Sequence, residues 1–94
     1  MSSNLSQFIS KKSFRRCGLY LFTYENAKEL INKIEEVQLP VLGIDAFELI
    51  NEKIRPSLDS SIDLSYDEIE ISWKKARACL DLSASKDFYY EIVF

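Results

Sequence analysis

Five carboxylates, Asp59, Asp63, Asp67, Glu68 and Glu70, fall within twelve positions of this 94-residue chain with no basic residue among them. Carboxylates at such density could divide into an acid and a base of separated pKa, gather a hard cation, or meet a basic partner. The rest of the sequence narrows that choice. There is no histidine, so the usual general base near neutral pH is missing. Gly18 and Gly43 are the only glycines, too few for a phosphate-cradling loop. The acid spacing matches no calcium loop. Cys17 and Cys79 lie far apart without other sulfur or imidazole ligands, and are expected to be reduced core thiols. No catalytic residue, metal or cofactor is expected.

Two readings of the acidic run remain. In one, Asp67 and Glu68 cap a helix while Asp59 and Asp63 shape turns. In the other, Asp45, Asp59, Asp63, Tyr66, Asp67, Glu68 and Glu70 form a partner-binding edge that meets a basic groove on another protein. Complementary charge would speed the encounter, and aromatic anchors would supply most of the binding energy.

The charge distribution favours a basic partner. Net charge is −3, yet Lys11, Lys12, Arg15 and Arg16 all precede residue 17, and residues 17–94 hold eight bases against all fifteen acids. An acidic body repels nucleic-acid phosphates. The cluster from Lys11 to Arg16 reads as a solvated turn rather than an RNA or membrane contact. The N-terminal residues lack a secretory pattern, and no apolar run reaches the roughly 20 residues of a membrane helix. A cytoplasmic, soluble, monomeric protein is expected.

The elements that must position these groups follow from the apolar periodicity. Leu5, Phe8 and Ile9 predict a short helix within residues 1–12, its first turn prone to fraying. Cys17 to Phe22 reads as a central strand buried on both faces. Thr23 then caps a helix beginning at Tyr24, whose stripe is Ala27, Leu30, Ile31, Ile34 and Val37, with Glu29 and Lys33 paired along it. Pro40 stops it. A strand runs to about Ile50, a polar turn follows, and a return strand runs from Lys53 to about Leu58. Pro56 confines that strand to a sheet edge or a bulge. Residues 59–64 read as a loop. Ser65 and Glu68 have the spacing of a capping box for a helix carrying Ile69, Trp73, Ala76 and Leu80, ending near Leu82. Phe88 to Phe94 predicts a last strand, interior by its aromatic weight. One domain of α+β class results, a two-layer sandwich of β-α-β-β-α-β order with both helices on one face of a four-stranded sheet.

Several segments in this order resemble the immunity protein 40 family of bacterial polymorphic-toxin systems. They are Phe22-Thr23-Tyr24-Glu25-Asn26-Ala27, Leu30-Ile31-Asn32-Lys33-Ile34, Leu39-Pro40-Val41-Leu42-Gly43-Ile44-Asp45 and Ser72-Trp73-Lys74-Lys75-Ala76-Arg77. Ile44 stands where the family has a second glycine, and residues 58–62 replace an aromatic-rich segment. The resemblance implies a non-enzymatic inhibitor that neutralises a cognate toxin domain in the cytoplasm. A rival expectation is a small regulatory or adaptor domain that dimerises through a sheet edge or docks on an enzyme.

Overall fold

Apolar spacing sets the helices. A computed structural model describes the backbone of residues 2–94 and side chains from Leu5 onward. Helix α1 spans Ser2–Lys12 and buries Leu5 and Phe8, the latter stacked on Phe22 with ring centroids 6.2 Å apart. The fraying expected of its first turn concerns residues whose side chains lie outside those described. Helix α2 spans Tyr24–Glu36 and begins as the sequence predicts: extended Thr23 accepts a hydrogen bond on Oγ1 from the Asn26 N–H at 3.4 Å. Ala27, Leu30, Ile31 and Ile34 are completely buried. Burying side chains such as Leu30 and Ile31 contributes about 1.5–3 kcal/mol each. Lys33 lies over the Phe8 ring, and the expected Glu29–Lys33 pair does not form.

Helix α3 spans Ile69–Leu82 and buries Ser72, Trp73, Ala76 and Leu80. The predicted capping box is absent. Glu68 occupies the N-cap without a side-chain bond, because Ser65 turns back to Asp63: its N–H and hydroxyl donate to Asp63 Oδ1 at 3.0 and 2.7 Å. A short 3-10 turn, Ala84–Lys86, follows α3.

The chain is an α+β protein with three helices and two small antiparallel sheets, and the expected four-stranded sheet does not form. Strands β1 (Phe14–Arg16) and β2 (Leu19–Leu21) make a hairpin. Its two turn residues, Cys17 and Gly18, have φ of 52° and 79°, the signature of a type I′ turn. The run from Cys17 to Phe22 is therefore half turn and half edge strand, and Cys17 is exposed rather than buried. Strands β3 (Gly43–Ile50), β4 (Lys53–Asp63) and β5 (Tyr89–Val93) form the second sheet in the order β4-β3-β5. Among the described residues a reciprocal pair of 2.8 Å bonds between Phe22 and Tyr90 is the one backbone bridge from the hairpin to β5. Thr23 opens α2 immediately after Phe22, leaving no further residue to extend the pairing.

Strand β4 is longer than the sequence suggested. Pairing passes from Ala46↔Ser57 to Ile44↔Ile62, so residues 58–61 oppose Asp45 alone in a wide bulge. Ser61 replaces the lost ladder bonds, accepting from the Ala46 N–H at 2.9 Å and donating to the Ser57 carbonyl at 2.7 Å. As Pro56 requires, β4 lies at the sheet edge.

One core unites the layers. Ile44 and Ala46 of β3 and Tyr90 and Ile92 of β5 pack with buried residues of all three helices. Its polar members are satisfied internally. Ser72 Oγ accepts from the Val41 N–H at 3.1 Å and donates to the Ile69 carbonyl at 2.6 Å, while the Ser83 hydroxyl and the Tyr90 phenol share a 2.5 Å hydrogen bond. Trp73 donates from Nε1 to the Leu39 carbonyl at 2.7 Å, tying the linker before β3 to α3.

Candidate functional site

Side chains alternate across a strand. With Ile44, Ala46, Tyr90 and Ile92 turned to the helices, Asp45, Phe47 and Leu49 of β3 and Tyr89, Glu91 and Val93 of β5 turn to the opposite face. The register makes the rows explicit. Asp45 pairs directly with Glu91, Phe47 with Tyr89 on one side and Pro56 on the other, and Gly43 with Val93 and Asp63. This face is apolar along Leu49, Ile54, Pro56, Phe47 and Tyr89. The Phe14 ring packs edge-on against Tyr89 at 4.9 Å and walls one side. Leu21, buried and outside the main core, supports the same wall across the hairpin from Phe14.

Two carboxylates stand in the middle of this surface. Like charges directly opposite one another on a sheet repel. Burial first, then the charge of Asp45 and a hydrogen bond shared with it, push the Glu91 carboxyl above its ordinary value. Among the described residues neither acid has a basic partner within salt-bridge distance. Gly43 leaves the adjoining row without a side chain, and it must be small for a local reason: a Cβ there would lie 3.1 Å from the Ile62 carbonyl oxygen of β4.

The other sequence-predicted residues do not form one site. Asp63 faces this same surface opposite Gly43, held below the usual carboxylate range by hydrogen bonds from the Ser65 hydroxyl and N–H. Asp67 is engaged by Lys75 at 3.1 Å. Tyr66 is 97% exposed, and Glu68 and Glu70 are exposed at the start of α3. Asp59 sits apart on the bulge, beside a groove of about 500 Å³ between β4 and α3 that Ile62, Cys79, Leu82 and Lys86 also line. Burial raises the pKa of the Cys79 thiol, which donates to the Ser60 carbonyl at 3.4 Å, so it is a poor nucleophile.

Sequence reasoning missed Glu91. Its place in an alternating Tyr-Tyr-Glu-Ile-Val strand marks it as facing away from the core, but only the register reveals Asp45 as its neighbour. On α3, Arg77 binds Asn32 and Glu35 of α2. A second clasp between the same helices joins Tyr24, Lys28 and Asp81: the Tyr24 hydroxyl and Lys28 Nζ both donate to Asp81 Oδ1, at 2.6 and 3.0 Å. These bonds hold Asp81 low and raise Lys28. The basic cluster lies on α1 and β1, with Arg15 over the Tyr20 ring at 4.8 Å.

The arrangement can bind but brings no nucleophile to a base. Among the described residues no group of three ligands could hold a metal, and no helix is long and apolar enough to cross a membrane. No protein-family model matches the chain, and no curated protein matches it.

Proposed function

We propose that this chain is an immunity protein, an inhibitor that binds and neutralises a cognate bacterial toxin domain in the cytoplasm and performs no reaction of its own. The observation that carries the reading is the Asp45–Glu91 pair. Two adjacent carboxylates on a helix-free, largely apolar sheet face are a liability in the isolated protein and an asset against a basic surface. The acidic body of residues 17–94 supports the same partner sign, and the segment resemblance to the immunity protein 40 family supports the class. Dimerisation through the β4 edge is less favoured, since Pro56 and the bulge at residues 58–61 interrupt the pairing a second strand would need there.

The test is co-expression with any toxin domain found encoded beside this chain. Growth should be restored when the two are made together, and the purified proteins should form a one-to-one complex. Continued toxicity at matched expression would overturn the proposal.

A further inference from the structure

We propose that the helix-free face of the sheet is the docking surface for a basic protein partner, which seats a lysine or arginine side chain between Asp45 and Glu91 and lays apolar side chains on half-buried Tyr89 and exposed Pro56, with buried Phe47 as the floor between them. This deepens the immunity reading and rests on it for the partner's identity. It moves the binding site away from the acidic run at residues 59–70, where the sequence alone would put it.

Three observations converge on the face. The sheet is covered by helices on one side only, since the strand residues of the main core all belong to the Ile44, Ala46, Tyr90 and Ile92 face or its edges. The other side carries a continuous band from Ile54 and Leu49 through Pro56, Phe47 and Tyr89 to Phe14. In the row beside that band the two carboxylates are cross-strand neighbours, and among the described residues no base lies within salt-bridge distance of either.

Charge complementarity then defines the occupant. A cation placed between Asp45 and Glu91 removes their mutual repulsion and gains charge-assisted hydrogen bonds, and the planar guanidinium can accept one carboxylate on each edge. Asp63, paired with Gly43 in the next row, stands by as a further acceptor. Half-buried Tyr89 offers ring surface beside the charge, so one side chain can meet both acids and an aromatic face. The acids at Asp67 and Asp63 are by contrast already engaged by Lys75 and Ser65, and offer an incoming cation less.

The experiment uses the full chain, labelled for amide NMR, and a short amidated peptide of alternating valine and arginine. Its control is the same peptide with citrulline, a neutral isostere, at each arginine. The arginine peptide should shift the amide signals of Asp45, Phe47, Tyr89 and Glu91, and the citrulline peptide should not. The isosteric variants Asp45→Asn and Glu91→Gln should each weaken binding about tenfold, whereas Glu68→Gln and Glu70→Gln should each weaken it by about twofold or less. Shifts centred on residues 59–70, equal binding of the citrulline peptide, or no binding at all would overturn the proposal. So would self-association through the same residues, read by light scattering without peptide, because the occupant would then be a second copy. Toxin protection separates the two claims. If the Asp45→Asn, Glu91→Gln double variant protects cells as well as the original chain, the docking face is wrong and the immunity reading stands. If the peptide docks as described and no toxin is neutralised, the face stands and the immunity reading falls.

Discussion

At the scale of single residues, Glu91 should cost the free protein stability. Its pKa is raised above the ordinary 4.5, so the folded state binds this proton more tightly than the unfolded state does. Stability from this group is therefore fullest below 4.5 and declines as pH rises through the window above it. Glu91→Gln should stabilise the protein at pH 7 by a few tenths to about 1 kcal/mol, the range of a like-charge pair across a sheet. The gain should vanish once the pH falls below 4.5, as thermal melts of the two proteins across pH would show. Asp63 and Asp81 act in the opposite sense, being held low in the fold, and their contribution is lost as pH falls below 3.8. Both are common to the two proteins and cancel in the difference. Ser72 is the complementary case, a polar residue in the core whose hydroxyl is the acceptor for the buried Val41 N–H. Ser72→Ala strands that donor and should cost about 1–3 kcal/mol by denaturant unfolding, far more than an alanine on an exposed helix face would.

At the scale of elements, what could be read from the sequence was whatever local chemistry decides. Thr23 capping α2, the stripes of α2 and α3, and the restriction that Pro56 places on its strand all hold in the structure. What could not be read was whatever depends on which segment pairs with which. Ser65 has two acids within reach along the chain, Asp63 and Glu68, and the choice of Asp63 over a capping box follows from where β4 ends. Gly18 was counted within a strand because the aromatic run around it is strongly β-forming, but the run before it, Phe14 to Arg16, supplies a partner that makes the glycine a turn. Residues 59–64 look like a loop by composition, yet all but Leu64 belong to β4, with residues 58–61 bulged, because Ile62 must return to the core face beside Ile44. Asp45 was singled out while Glu91 was not, since a cross-strand neighbour is a property of register. The β3–β4 turn gives a prediction at this scale. Asn51 and Glu52 both have positive φ, 51° and 68°, and the second of these positions strongly prefers glycine. Glu52→Gly should stabilise the hairpin by about 1 kcal/mol, the left-handed strain relieved less the added chain entropy of glycine, and should slow amide exchange at Lys53 and Ile54.

At the scale of the whole molecule, charge and surface divide the labour of binding between encounter and residence. The acids of residues 17–94 outnumber the bases and include the exposed Asp45, Asp59, Glu68 and Glu70, so a basic partner approaching away from the basic cluster of residues 11–16 meets a field that draws it in. Such a field acts over about a Debye length, roughly 8 Å at physiological ionic strength and 3 Å in molar salt. Raising the salt should therefore slow association with the proposed toxin partner by one to two orders of magnitude or so while changing dissociation little, because the surface offered by Tyr89 and Pro56 is largely apolar. The two kinds of acid should separate in stopped-flow kinetics. Neutralising Glu68 and Glu70 together removes long-range attraction alone, and should lower the association rate a few-fold with dissociation unchanged. Neutralising Asp45 and Glu91 removes both attraction and a seated contact, and should also speed dissociation. A salt-independent association rate would mean that the acidic body merely keeps the chain soluble, and that shape alone selects the partner.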